Sequence, residues 1–228
     1  MATILNIETS TAVCSAALAK DGKLVACKES SEPNVHAEKL AVFIAEIMKE
    51  EGLSYSNLDA IAVGTGPGSY TGLRIGTSTA KGLCYSLDKP LIAIPTLKAM
   101  ALASSVSANR KDIYYCSMID ARRLEVYTAI YDFDGNEILP TEAKILQADS
   151  FTDILKDHEI AFAGDGMPKM KSLSPPNDTK RIWLDEVYAS AKNMLLLSEE
   201  YFTKKQFADV AYYEPFYLKD FVAGKKIL

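Results

Sequence analysis

TILNIETSTAVCSAALAKDGKLVACK, residues 3–28, divides into an apolar run at 3–8, a second at 13–20 and a third at 23–28, the last two joined by Asp21-Gly22. Apolar runs on either side of a D-G pair form a hairpin pattern, and three such runs in succession make a β-meander. The pattern returns in IYYCSMIDARRLEVYTAIYDFDGNEIL, residues 113–139, with runs at 113–120 and 124–133, an Asp134-Gly135 turn, and a run at 136–139. Each meander leads into a helix-like segment (36–51; 150–157), then a buried-type strand (59–64; 159–164), a glycine turn (GTGPG; GDG) and further helical sequence.

Three strands, helix, strand and helix, written twice, is the element order of the duplicated α/β fold shared by actin, Hsp70 and sugar kinases (the actin/Hsp70/sugar-kinase-like, or ASKHA, fold). The expected division gives an N-terminal half at 1–103 and a C-terminal half at 104–228, with the polar stretch SSVSANRK at the boundary and the last segment free to pack back on the first half. This fold normally grips ATP between its halves, using the loop after the first strand of each. Those loops are NIETSTAVCS and MIDARRLEVY, and each places a carboxylate, Glu8 or Asp120, at the strand end. Thr9, Ser10 and Thr11 are small donors suited to a phosphate. The second loop instead carries Arg122 and Arg123, which bind an anion bidentately or pair with acids. The expected nucleotide or anion site (Thr9, Ser10, Thr11, Arg122, Arg123) is therefore only half legible, and the fold alone does not supply a function.

Composition narrows the class. The chain has 228 residues, 48% hydrophobic and 24% charged, which is ordinary for a globular protein with a real core. A formal charge of -5 leaves no overall basic surface for nucleic acid phosphates. MATILNIE has no basic leader pattern, and no stretch approaches the roughly 18 uninterrupted apolar residues of a membrane span, so a cytoplasmic protein is expected. Cys14, Cys27, Cys84 and Cys116 lie in or near apolar runs without a C-x-x-C pair, the pattern of buried free thiols.

GTGPGSYTGLRIG, residues 64–76, holds five of the chain's 12 glycines. It matches neither G-x-G-x-x-G, because Ser69 or Thr71 falls where the last glycine is needed, nor the Walker loop, because no lysine follows a glycine. A turn of this composition either presents backbone N–H groups to an anion or simply reverses the chain. The helix it opens spaces Gly72, Gly76 and Ala80 by four, so small residues line one face. An interior helical glycine costs about 1 kcal/mol relative to alanine, and close approach of another backbone would offset that. Leu73, Leu83, Cys84 and Leu87 supply apolar contacts beside this channel. On the preceding helix, Leu40, Ala41, Phe43, Ile44, Ala45, Ile47 and Met48 span an arc of roughly 200°, wider than the stripe of somewhat over ~100° needed against one core. The surplus fits a partner protein or a helix sandwiched within its own domain.

ILNIETST, HAEKL, GTGPGSYTGLRIG followed by AKGL, IDARRLEVYTAIYD and EPFYLKD together resemble the TsaB (YeaZ) family, from residue 4 to about 220, with the glycine-rich segment the most specific. The resemblance implies a non-catalytic scaffold for N6-threonylcarbamoyladenosine modification of tRNAs reading codons beginning with A. It implies direct binding to TsaD, with TsaE joining through the complex, tRNA reached only through the complex, and a homodimer when TsaD is absent. ATP and metal are expected on TsaD and TsaE, with no cofactor or metal required by this chain. The family's partner interface is carried by the two helices, here Leu40, Phe43, Ile44, Ile47, Met48, Leu73, Gly76, Ala80, Leu83 and Leu87. TsaD-like enzymes hold metal with an H-x-x-x-H pair, whereas here His36 is followed four residues later by Leu40, and His158 lies far off. His36 is expected at the surface or a helix entry. The alternative is a stand-alone small-molecule kinase or ATPase of the same fold, which the intact Thr9-Ser10-Thr11 loop leaves open.

Overall fold

A computed structural model describes residues 2–219. Strands β1 (Thr3–Glu8), β2 (Cys14–Lys20) and β3 (Lys23–Ser30) form the first meander, and β4 (Ala60–Gly64) and β5 (Leu91–Ile94) add in parallel beyond β1, giving the order β3-β2-β1-β4-β5. In the second half β6 (Tyr114–Asp120), β7 (Glu125–Tyr131), β8 (Glu137–Ile145), β9 (Ile160–Ala163) and β10 (Arg181–Leu184) take the order β10-β9-β6-β7-β8. Each strand occupies the place of its counterpart five strands earlier, so the expected duplicated α/β fold is the one found. The parallel strand β4 is covered on both faces, which explains why it reads as a continuous apolar run rather than alternating.

The two hairpin turns differ, although both contain Asp-Gly. Asp21 and Gly22 are both left-handed (φ 52 and 70), the two-residue turn whose twist matches its strands. In the second Asp-Gly turn only Gly135 is left-handed (φ 80). Gly135 N–H donates to the Asp132 carbonyl and Asp132 N–H to the Asn136 carbonyl, so the turn has three residues and ends in a bulge. Asp132 decides this, because its carboxylate also accepts from the N–H groups of Asp134 and Asn136. The helix expected at 150–157 shrinks to α4 (Thr152–Leu155), since Phe151 is left-handed (φ 67) and its ring packs on Phe162.

Helices α1 (His36–Glu50) and α2 (Tyr70–Leu87) pack beside each other and against the first sheet, and α5 (Met167–Leu173) lies in the second half. The third helices cross over. α3 (Thr96–Ala108) packs on β6 and β7 of the second sheet, and α6 (Leu195–Thr203) packs on β1 and β5 of the first. The expected division at 103/104 falls inside α3, whose two faces explain why. Leu97, Met100 and Ala101 join Ile113, Tyr115 and Ile119, while Ala99 joins Ala60, Ala62, Ile92 and Ile94. No helix among the described residues is long and apolar enough to cross a membrane.

Candidate partner face and interdomain cleft

The glycines of 64–76 make room for the chain's own β1–β2 loop. A Cβ on Gly68 would lie 2.2 Å from the Ser10 carbonyl oxygen, on Gly72 2.1 Å from the Thr9 carbonyl oxygen, and on Gly76 2.2 Å from the Thr9 hydroxyl. The Thr9 hydroxyl donates to the Gly72 carbonyl (2.8 Å), and Ser69, whose side chain caps α2 by accepting from Gly72 N–H, donates its own N–H to the Ser10 carbonyl (2.6 Å). The close backbone approach inferred from the glycine spacing is therefore present. Its source is this chain and not a partner, because the small-residue face of α2 points inward onto Thr9.

That orientation puts most of the expected interface residues inside this chain's own first half. Leu40, Ile44, Ile47 and Met48 of α1, and Leu73, Gly76 and Ala80 of α2, are buried within their own half, where all but Leu73 and Gly76 form one core with Leu5, Leu18 and Ile61. The wide apolar arc of α1 exists because that helix packs on two neighbours of its own, the β2–β3 surface and α2. Phe43, Leu83 and Leu87 are half-buried at the edge of this core. The apolar surface left open on the pair is a different set: Val42, 50% exposed, and Tyr85, 87% exposed, with Ala41 and Ala45 beside Val42. Helical position offered a signal for these residues, since Val42 follows the buried Leu40 by two places and Tyr85 follows the buried Cys84 by one, which turns each side chain off the face packed on the core.

Between the halves lies a cleft of about 660 Å³, lined by Ser10, Thr11, the turn into α2 and its first residues from Gly68 to Gly72, Asp120, Arg122 and Tyr217. Of the five residues expected at a nucleotide or anion site, Ser10, Thr11 and Arg122 reach this cleft. Thr9 is turned into α2, and Arg123 is not among the cleft residues. Arg122 and Arg123 are both left-handed (φ 69 and 49), which costs a non-glycine residue about 1–2 kcal/mol each. Asp120 offsets part of this, its Oδ1 accepting from Arg122 N–H (2.6 Å) and from Lys169 Nζ (2.7 Å).

The other strand-end carboxylate faces away from the cleft. Glu8 is 1% exposed, its Oε1 accepting from Ser10 N–H and its Oε2 from the Thr96 hydroxyl, each at 2.8 Å. Burial pushes its pKa above the usual carboxylate value despite these bonds. His36 does begin α1, as expected of a helix-entry residue, but it is buried, and its Nε2 lies 2.9 Å from the Thr11 carbonyl, to which Nε2–H donates. Cys14, Cys84 and Cys116 are buried free thiols and Cys27 is half-buried; burial raises all four, Cys116 to about 12.

Comparison with known proteins places this arrangement. The family described as TsaD, tRNA N6-adenosine threonylcarbamoyltransferase, matches residues 32–225. The chain is 31% identical to the tRNA threonylcarbamoyladenosine biosynthesis protein TsaB of Escherichia coli strain K12, over 98% of this chain and 97% of that protein. The solved structure of YeaZ from Pseudomonas aeruginosa superposes with a TM-score of 0.80 at 26% identity, covering 96% of this chain and all of that one. The activator of 2-hydroxyisocaproyl-CoA dehydratase from Clostridium difficile shares the fold alone, with a TM-score of 0.52 at 10% identity over 90% of this chain and 97% of that one. With identity running from end to end and the same fold beneath it, the chain belongs to the TsaB (YeaZ) family.

Proposed function

We propose that the chain is a non-catalytic subunit in the synthesis of N6-threonylcarbamoyladenosine on tRNAs reading codons beginning with A, binding TsaD directly and TsaE through the complex. The name of its full-length relative supports the pathway. The non-catalytic role rests on Glu8. The carboxylate that would hold metal or orient phosphate at the end of the first strand is enclosed by Ser10, Thr96 and Gly64 instead of facing the cleft. Asp120, its counterpart, is occupied by Lys169 and by the Arg122 amide. ATP and metal then belong to TsaD and TsaE, tRNA is met only through the complex, and the setting is the cytoplasm.

The outer face of α1 and α2, carrying Val42, Phe43, Leu83, Tyr85 and Leu87, is the surface offered to TsaD. A second copy occupies the same face when TsaD is absent. Exposed aromatic anchors such as Tyr85 carry a large share of binding energy at protein interfaces. Val42→Asp with Tyr85→Ala should leave the fold intact, because Tyr85 is largely and Val42 half in solvent, and should weaken TsaD binding at least about tenfold, or about 1.4 kcal/mol. Reconstitution of tRNA modification from the chain, TsaD and TsaE, with and without these substitutions, is the test. Unchanged TsaD affinity would sink this face as the docking surface. Steady ATP hydrolysis by the isolated chain would instead favour a stand-alone kinase or ATPase, the reading that Ser10, Thr11 and Arg122 around one cleft keep in play.

A further inference from the structure

After α6 the chain runs back across the molecule and touches both halves. Ala208 pairs with Leu91 on the outer edge of β5, its N–H donating to the Leu91 carbonyl (2.8 Å). Lys81 of α2 then donates to the carbonyls of Ala211 and Tyr213, both at 3.1 Å, and Tyr213 packs against the core of the first half. Phe216 N–H donates to the Thr65 carbonyl (2.9 Å), at the end of β4. At the mouth of the cleft the Tyr217 ring lies on Tyr70, with centroids 4.5 Å apart, and the Arg74 guanidinium covers Tyr70 at 4.2 Å. The last step leaves the first half: Lys219 Nζ pairs with the Glu125 carboxylate, at the start of β7 in the second half. Tyr217, Leu218 and Lys219 all line the cleft.

We propose that residues 208–219 form a clasp that sets how far the cleft opens. The segment is anchored on β5 and at the end of β4 by backbone hydrogen bonds and on α2 by the Lys81 ammonium, and a partly exposed ion pair ties it to the second half. Its grip is firm on one side and releasable on the other. The aromatic pair at Tyr217 and the Lys219–Glu125 pair are each modest contacts, of the kind that together shift a two-state equilibrium by about 3- to 30-fold. Loss of either lets the halves part, and the clasp is rooted on α2, so an element packed against that helix is tied to the cleft.

The experiment uses the whole chain with Cys27→Ser and spin labels on Lys49→Cys and Asp157→Cys, exposed positions in the first and second halves, and reads their distance distribution by pulsed electron resonance. Lys219→Glu and Tyr217→Ala should each enlarge a longer-distance population about 2- to 10-fold, and 1 M salt should move the unsubstituted chain the same way as Lys219→Glu. The reversed pair, Lys219→Glu with Glu125→Lys, should restore the original distribution. If Lys219→Glu, whose side chain is half in solvent and which therefore folds, leaves the distribution unchanged, the clasp is overturned. A widened distribution that the reversed pair fails to restore overturns it equally, because the effect then does not run through this ion pair.

Discussion

A methyl group at Gly76 tests whether the small-residue face of α2 serves this chain or a partner. In Gly76→Ala the new Cβ stands 2.2 Å from the Thr9 hydroxyl. Either Thr9 rotates and gives up its bond to the Gly72 carbonyl, worth about 1 kcal/mol, or loop and helix move apart at about 1–3 kcal/mol. Alanine returns about 1 kcal/mol of helix propensity over glycine, so the net cost is about 0–2 kcal/mol. A net that small is read best from a double-mutant cycle. Thr9→Ala alone should cost about 1 kcal/mol for its lost hydrogen bond. In the double variant the methyl meets the Thr9 Cβ at 3.4 Å, an ordinary contact, and stability should return close to that of the parent. The coupling is then about 1–3 kcal/mol in favour of the double variant, where independent sites would add within about 0.5 kcal/mol. For a chain of this length each kcal/mol moves Tm by about 2–4 °C, so thermal and urea unfolding followed by circular dichroism resolve it. Gly72→Ala is the control, because its methyl meets the Thr9 carbonyl oxygen at 2.1 Å, an atom that Thr9→Ala leaves in place. Thr9→Ala should not rescue it. An additive cycle at Gly76, or a Gly76→Ala protein of normal stability that has lost TsaD binding, would refute the inward orientation.

Two further outcomes follow from the buried groups. Glu8 has a raised pKa in the folded state, so the folded protein holds this proton more tightly than the unfolded chain; the resulting stability is full below the unfolded value of 4.5 and is lost as pH rises through the raised folded value. The difference in Tm between Glu8→Gln and the parent, followed across that window, should change in that direction, and a difference independent of pH would show that the carboxylate ionises freely. Alkylation at pH 8 should be slow at all four cysteines and fastest at Cys27, the one thiol that is half-exposed, with mass spectrometry of peptides as the readout. Rapid labelling of Cys116 in the folded protein would contradict its burial.

Much of this fold was legible because its signals are local. Apolar runs broken by Asp-Gly mark strands and turns within a few residues, and their recurrence about 110 residues later reveals the duplication without any knowledge of packing. Even the detail that failed, the second turn, failed for a local reason, since the Asp132 carboxylate competes for the amides that a two-residue turn would leave free. Helical periodicity likewise identified which residues share a face: Gly72, Gly76 and Ala80 do lie together, and so do Leu40, Ile44, Ile47 and Met48. Periodicity carries no information about what stands opposite that face. A groove of small residues looks the same in sequence whether it receives a partner's helix or a threonine of the same chain, and a wide apolar arc looks the same whether its second neighbour is another protein or α2. Only the tertiary arrangement decided these, by bringing Thr9 onto Gly72 and Gly76 across 63 residues of chain, turning Glu8 under Thr96, and leaving Val42 and Tyr85 in solvent.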